Sequence, residues 1–121
     1  MTKRVMMVEN STTLRQLALL TLQDAGYDVI EATDGMDALT KLYDSNIDMV
    51  ITNLNMPRMN GMELTRLIRA EPSFMFIPVI FLTTRPQSMK EKETDEPAIT
   101  KWLTKPFQPV QLIDTVRQIL S

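Results

Sequence analysis

Cysteine and histidine are both missing from the 121 residues of this chain. Without cysteine it can form neither disulfide bonds nor thiolate zinc sites, and this composition fits a cytoplasmic protein. Without histidine it lacks the commonest general base and the commonest metal ligand of proteins, which argues against most hydrolase chemistries. The first absence thus fits a cytoplasmic location, and the second makes hydrolase activity unexpected.

Long apolar runs and a strong net charge are also absent. No stretch is apolar over the length of a membrane-spanning helix, and the apolar part of residues 1–10 is too short for a signal peptide. The formal net charge is -2, so no strong overall field favours nucleic acid or a membrane surface as a partner. The length predicts a single domain over residues 1–121, and 44% hydrophobic residues suffice for a buried core.

Short apolar runs alternate with amphipathic stretches along the chain. Runs with the length of a buried strand lie at positions 5–8, 29–32, 47–51, 78–82 and 102–104. Continuous apolar strands that alternate with helices predict a parallel α/β sheet that is covered on both faces. Because crossovers between parallel strands are right-handed, we expect a doubly wound fold.

Capping and breaking residues mark the predicted helices. Ser11 and Asp34 are suitable N-terminal caps, a third helix is predicted over residues 61–70, and Pro109 opens the last helix. The segment 86–98 should supply the helix between the fourth and fifth strands, but it is rich in charged residues and a proline interrupts it. It is predicted either as a short, frayed helix or as an altered recognition surface.

Polar residues stand at the carboxyl ends of the predicted strands, which is where doubly wound sheets bind ligands. Glu9 and Asn10 follow the first strand, Asn53 ends the third, Thr83 follows the fourth, and Lys105 follows the fifth. These residues are therefore the candidates for a functional site. Within it, Lys105 is expected to pair with Glu9 rather than to bind an anion.

The motifs around these residues resemble those of response-regulator receiver domains, over the whole chain and in the same order. Residues 53–61, NLNMPRMNG, resemble the loop Asp-x-x-Met-Pro-x-Met-(Asp/Asn)-Gly that follows the third strand in that family. Glu9 and Asn10 fall where receivers carry two acids, and Thr83 falls where they carry Ser or Thr. The run from Lys105 to Phe107 is similar to their Lys-Pro-Phe. Within that family, the chain resembles single-domain chemotaxis regulators of the CheY type.

This resemblance implies a fold and a surface for partners. The fold is flavodoxin-like and CheY-like, with a five-stranded parallel sheet in the order 2-1-3-4-5 and helices on both faces. The implied switch and partner surface comprises the helix before the fifth strand, that strand and the last helix, and it includes Trp102, Lys105 and Phe107. The partners implied are a histidine kinase, a phosphatase, a motor component or another receiver.

The resemblance also assigns chemical roles at the strand ends. Position 53 corresponds to the phosphoryl acceptor, and Thr83 and Lys105 correspond to residues that contact the phosphoryl group. The positions that bind Mg²⁺ in the family are occupied by Glu9, Asn10, Asn53 and Asn55.

Amides replace two of the acids that this chemistry needs. Asn53 cannot form an acyl phosphate, because an amide oxygen is a poor nucleophile and no free carboxylate is present. With Asn10 also neutral, Glu9 and Lys105 bring the formal charge of the site close to zero. Mg²⁺ prefers carboxylate oxygens, so we expect it to bind weakly or not at all, and we expect no other cofactor. The sequence thus predicts a receiver that binds protein partners without phosphorylation, with no nucleic-acid or membrane partner.

Two alternatives stay open. In the first, Asn53 is an introduced substitution in an otherwise phosphorylatable regulator, although the parallel loss of the acid at Asn10 favours natural change at both positions. In the second, the chain is a flavin-binding, flavodoxin-like protein, because residues 10–13 place hydroxyl groups at a helix N-terminus where a flavin phosphate could bind. That loop has no glycine, and the sequence shows no aromatic pair to enclose a flavin, which argues against the second alternative.

Overall fold

Strands and helices alternate along the chain, as its apolar pattern predicts. The computed structural model describes residues 2–84 and 101–120. Its strands are β1 (Arg4–Val8), β2 (Asp28–Ala32), β3 (Met49–Asn53), β4 (Val79–Thr83) and β5 (Lys101–Thr104). Its α-helices are α1 (Thr12–Asp24), α2 (Gly35–Leu42), α3 (Gly61–Ala70) and α4 (Pro109–Leu120), and a short 3₁₀ helix spans Pro72–Phe74. The helix predicted over residues 86–98 lies outside the described residues.

The five strands form one parallel sheet in the order β2-β1-β3-β4-β5, which confirms the predicted fold. The register aligns the carboxyl ends of the central strands, since Val8 pairs with Thr52 and Asn53 pairs with Leu82. At the edge of the sheet, Thr83 pairs with Thr104. The residues that follow β1, β3, β4 and β5 therefore emerge at the same edge of the sheet.

The core is divided by the sheet into two layers. Met6 and Val8 belong to the layer that packs against α2 and α3, whereas Val5 and Met7 belong to the layer that packs against α1 and α4. This alternation follows from the two-residue period of a strand. All five residues of β3 are buried, as expected for a central strand covered on both faces. Each large side chain buried in this way contributes about 1.5–3 kcal/mol.

Side-chain caps fix where three of the helices begin. The Ser11 hydroxyl accepts a hydrogen bond from the N–H three residues later at 3.3 Å, and the Asp34 carboxylate does the same at 2.8 Å. Before α3, the side chain of Asn60 accepts from the N–H of Glu63, and the Glu63 carboxylate accepts from the N–H of Asn60. The predicted caps at Ser11 and Asp34 are confirmed, as are the start of α3 at residue 61 and the start of the last helix at Pro109.

Two local features differ from the prediction. β3 begins at Met49 rather than at residue 47, because Ile47 is buried ahead of the strand and Asp48 uses its carboxylate to accept from the N–H of Arg4 at 2.8 Å. The 3₁₀ helix after α3 was not predicted, and Arg69 holds the turn behind it by donating to the carbonyl of Phe74 at 3.4 Å. Within residues 2–84 and 101–120, no helix combines the length and apolarity needed to cross a bilayer.

Candidate functional site

The carboxyl edge of the sheet gathers the polar side chains of Glu9, Asn10, Asn53 and Lys105 into one site. Glu9 follows β1 directly and is 1% exposed, and Asn53 ends β3 and is 8% exposed. The Lys105 side chain, which follows β5, is 17% exposed. Asn10 is exposed at the rim of the site. A carboxylate, an amide and an ammonium group therefore meet largely out of contact with water.

Glu9 and Lys105 form a buried ion pair, as predicted from their charges. The Lys105 Nζ lies 2.9 Å from Oε2 of Glu9 and 2.9 Å from Oδ1 of Asn53. The other carboxylate oxygen of Glu9 accepts from the backbone N–H of Ser11 at 3.1 Å. Because each oxygen of the buried carboxylate has a donor, the cost of removing its charge from water is offset.

The amide of Asn53 is surrounded by oxygen atoms on its nitrogen side. Its Nδ2 lies 2.8 Å from the carbonyl oxygen of Asn55, 3.2 Å from Oδ1 of Asn10 and 3.4 Å from Oε1 of Glu9. Its Oδ1 faces the Lys105 ammonium instead. The amide nitrogen carries only two hydrogens, so three acceptors share two donors. Rotating the amide by half a turn would place oxygen against oxygen and N–H against ammonium, which fixes its orientation.

Arg15 supports the site from α1. Its Nη1 donates to the backbone carbonyl of Glu9 at 2.7 Å, and its Nε donates to the carboxylate of Glu31 at 3.3 Å. The N–H of Glu9 is bonded in turn to the carbonyl of Ala32 at 3.0 Å. The backbone of Glu9 is thus held on both sides. Sequence reasoning missed Arg15, because nothing in its spacing from Glu9 indicates a contact with a main-chain carbonyl.

Gly61 brings the start of α3 against the end of β3. A Cβ atom at this position would lie 2.6 Å from the backbone oxygen of Asn53 and 3.1 Å from the Cα of Leu54. The N–H of Gly61 donates to the carbonyl of Leu54 at 2.8 Å. Only a residue without a side chain allows this approach, so Gly61 helps to fix the position of Asn53. The sequence had indicated Gly61 only as the last residue of the receiver-like loop and the first residue of the predicted third helix.

Comparison with known proteins agrees with the fold of this chain. Residues 5–117 match the family model described as the response regulator receiver domain. The chain belongs to this family. It is 35% identical to the chemotaxis protein CheY1 of Helicobacter pylori over 98% of this chain and 97% of that protein. It is 32% identical to Protein PilG of Pseudomonas aeruginosa, over 94% of this chain and 84% of that protein. The solved structure of chemotaxis protein CheY4 from Vibrio cholerae superposes with a TM-score of 0.93 at 38% identity, covering 99% of this chain and 100% of that chain.

Two further residues that the sequence assigned to this receiver site contribute through their main chains. Asn55 is exposed, and its carbonyl oxygen is the nearest acceptor of the Asn53 amide. Thr83 is buried at the end of β4, and its carbonyl accepts from the N–H of Lys105 at 2.8 Å. The roles that the family gives to these positions in binding metal and phosphoryl oxygens stay predictions for this chain.

Trp102 and Phe107, which the sequence assigned to a switch and partner surface, lie in different layers of the receiver. Trp102 is half-buried and packs edge-on against Phe81, with ring centroids 5.0 Å apart. Its indole N–H is buried and has no hydrogen-bond partner among residues 2–84 and 101–120. Phe107 is buried in the opposite layer, which contains α1 and α4. The two rings therefore do not form one continuous exposed patch, and their part in a switch stays a prediction.

The donor set of this receiver does not match the ligands that Mg²⁺ requires. Mg²⁺ takes an octahedron of oxygen ligands about 2.0–2.1 Å away. Glu9 is the only carboxylate among the residues at positions 9, 10, 53 and 55. The oxygens of residues 9, 10 and 55 face the side-chain N–H₂ group of Asn53, which donates hydrogen bonds and cannot coordinate a cation. The described part of the chain contains no group of three or more acidic side chains that could hold a metal. With Lys105 at +1 beside Glu9 at -1, the site has no net charge to attract a divalent cation.

Proposed function

We propose that this receiver domain works by binding a protein partner in a state that does not depend on phosphorylation of residue 53. The observation that carries the proposal is the side chain of Asn53, an amide at the acceptor position with hydrogen bonds on both of its sides. Two of the proteins that this chain resembles, CheY1 of Helicobacter pylori and CheY4 of Vibrio cholerae, are chemotaxis proteins, so a chemotaxis-like or phosphorelay pathway is the setting that we propose.

The chemistry of the amide supports this proposal. Phosphoryl transfer to a receiver needs a carboxylate oxygen as the nucleophile and positive charge to neutralise the incoming group. The lone pair of an amide is delocalised over the C–N bond, so neither its oxygen nor its nitrogen is an effective nucleophile. Lys105, which would stabilise the phosphoryl oxygens, is held 2.9 Å from Glu9. We therefore propose that the chain is not an enzyme and uses neither Mg²⁺ nor another cofactor.

Receiver domains act on other proteins, and this supports a protein as the partner. A histidine kinase, a phosphatase, a motor component or another receiver fits the family. The net charge of -2 gives no reason to propose nucleic acid or a membrane. A cytoplasmic location is proposed on the composition and on the chemotaxis relatives.

Incubation with acetyl phosphate and Mg²⁺, read by intact-protein mass spectrometry, tests the proposal. We expect the unmodified protein to gain no phosphoryl group. The double variant Asn10→Asp/Asn53→Asp restores both acids and is expected to be labelled in a Mg²⁺-dependent manner. Asn60→Asp, which adds one carboxylate at an exposed cap outside the site, is the matched control and should stay unlabelled.

The same assay separates the alternative in which Asn53 is an introduced substitution. A stable phosphoryl adduct on the unmodified protein would contradict the proposal outright. Labelling of the single variant Asn53→Asp as strongly as the double variant would show that one change restores the chemistry, and it would favour the alternative. A colourless purified protein would argue against flavin binding.

A further inference from the structure

We infer that the side-chain amide of Asn53 takes the place of a divalent cation, because it is the positively polarised group that draws the oxygen atoms of the site together. The inference rests on the proposed function, since both start from the amide at position 53. It goes further by assigning the amide a positioning role in the resting state. That role makes the geometry of the site independent of metal.

The oxygens around the amide come from separate parts of the chain. Glu9 and Asn10 follow β1, whereas Asn55 lies in the loop after β3, far along the chain from both. Their oxygens lie 3.4, 3.2 and 2.8 Å from the Asn53 Nδ2. Oxygen atoms this close to one point repel each other unless a positive group lies between them. In this structure the amide N–H groups occupy that point.

The residues that surround the nitrogen are those whose positions bind Mg²⁺ according to the resemblance, namely residues 9, 10 and 55. The fourth of those positions is Asn53 itself, which here supplies the donor. A cation at this point would have to displace the Nδ2, because a nitrogen that carries two hydrogens has no lone pair to offer it. It would also meet an ammonium group, since the Lys105 Nζ lies 2.9 Å from the other side of the amide.

Replacement of Asn53 by Asp tests the inference, because it exchanges one N–H₂ group for an oxygen at almost constant size. In EDTA the new oxygen would face the carboxylate of Glu9 and the carbonyl of Asn55, while the exposed Asn10 can rotate to donate. We expect the midpoint of thermal unfolding to fall by about 4–8 °C in EDTA. Millimolar Mg²⁺ should restore most of this loss in the variant and leave the unmodified protein unchanged.

The matched control is Asn60→Asp, which makes the same chemical change at an exposed N-cap where Asn and Asp are about equally suitable. It should unfold near the temperature of the unmodified protein, with or without Mg²⁺. If Asn53→Asp is as stable as the unmodified protein in EDTA, the inference is wrong. It is also wrong if Mg²⁺ raises the unfolding temperature of the unmodified protein as much as that of the variant.

A measurement on the unmodified protein keeps the inference testable if the variant does not fold. The side-chain N–H₂ signals of Asn53 in an ¹⁵N-correlated spectrum should exchange with water more slowly than those of the exposed Asn46, and millimolar Mg²⁺ should not move them. Fast exchange together with a shift on Mg²⁺ addition would overturn the inference. Phosphorylation of the unmodified protein, in contrast, would overturn the proposed function and is read separately by mass.

Discussion

The buried ion pair between Glu9 and Lys105 should have a large coupling free energy, which a double-mutant cycle can measure. The cycle uses Glu9→Gln and Lys105→Met, because each removes a charge with little change in size. The two side chains are 2% and 17% exposed, and their charged atoms lie 2.9 Å apart. The contact therefore lies where the surroundings screen charge weakly, and where losing one partner leaves the other without compensation.

The expected magnitudes follow from the remaining contacts. Truncating one member of a buried pair costs about 3–5 kcal/mol in general. Lys105→Met should lie near the lower limit, at about 3 kcal/mol, because the N–H of Ser11 and the amide of Asn53 still donate to Glu9. Glu9→Gln should cost about 1–2 kcal/mol, since Lys105 keeps Asn53 and some contact with water. The double variant leaves neither charge unpaired, so it should cost less than the sum of the two single variants. That difference is the coupling free energy, and we expect it to be about 2 kcal/mol.

Urea denaturation, followed by far-UV circular dichroism, gives the free energy of unfolding of all four proteins of the cycle. Urea is uncharged, so it does not screen the ion pair as a salt would. The ion pair between Asp37 and Lys41 is the matched control. Its atoms lie at a similar distance, 3.0 Å, but its side chains are 28% and 42% exposed, so we expect a coupling of about 0.3–0.5 kcal/mol. Added sodium chloride should weaken the control coupling more than the buried one. A coupling between Glu9 and Lys105 no larger than that of the control would refute the reasoning.

Two further predictions concern Asp37 and Gly61. Burial raises the pKa of Asp37, but the N–H of Thr33 and the ammonium of Lys41 together outweigh it, so the pKa lies below its ordinary value of 3.8. A carboxyl group whose pKa is lowered by folding stabilises the native state while it is ionised, and this stabilisation is lost as the pH falls through the lowered pKa. Asp37→Asn should therefore cost more stability near about pH 6 than near about pH 3 in thermal unfolding. Equal costs at the two pH values would contradict this. Gly61→Ala should destabilise by about 2–3 kcal/mol in urea, because its Cβ would meet the main chain at the end of β3. Gly35→Ala would meet side-chain atoms of Met59 and no main-chain atom, so it should cost less, about 1 kcal/mol. Equal losses for the two glycine variants would show that the contact with β3 is not what matters.

Local signals account for most of what the sequence predicted of the fold. Two kinds of signal are local: apolar runs with the length of a strand, and residues at helix starts such as Ser11, Asp34 and Pro109. Each affects only the few residues next to it, so the sequence alone is enough to recognise it. The start of β3 was placed two residues early because an apolar run reports burial rather than strand pairing. Ile47 is buried without pairing, and Asp48 turns its carboxylate to the backbone of Arg4.

The candidate site was predictable in its members but not in its connections. The strand ends indicated Glu9, Asn53 and Lys105, and opposite charge indicated that Glu9 and Lys105 would pair. The direction in which the Asn53 amide points depends on how several separate segments meet, and no local pattern encodes it. The same is true of Arg15, whose partner is a main-chain carbonyl and therefore leaves no trace in the sequence.

The contact between Glu9 and Lys105 joins residues 96 positions apart, and this separation has a kinetic consequence. Because β3 and β4 lie between β1 and β5 in the sheet, the two groups have this geometry only when all four strands are paired, and the entropy of closing so long a loop opposes their earlier approach. We therefore expect the contact to form late in folding. A contact that forms late in folding slows unfolding and leaves the folding rate almost unchanged, so we expect this ion pair to lengthen the lifetime of the folded molecule without hastening its formation.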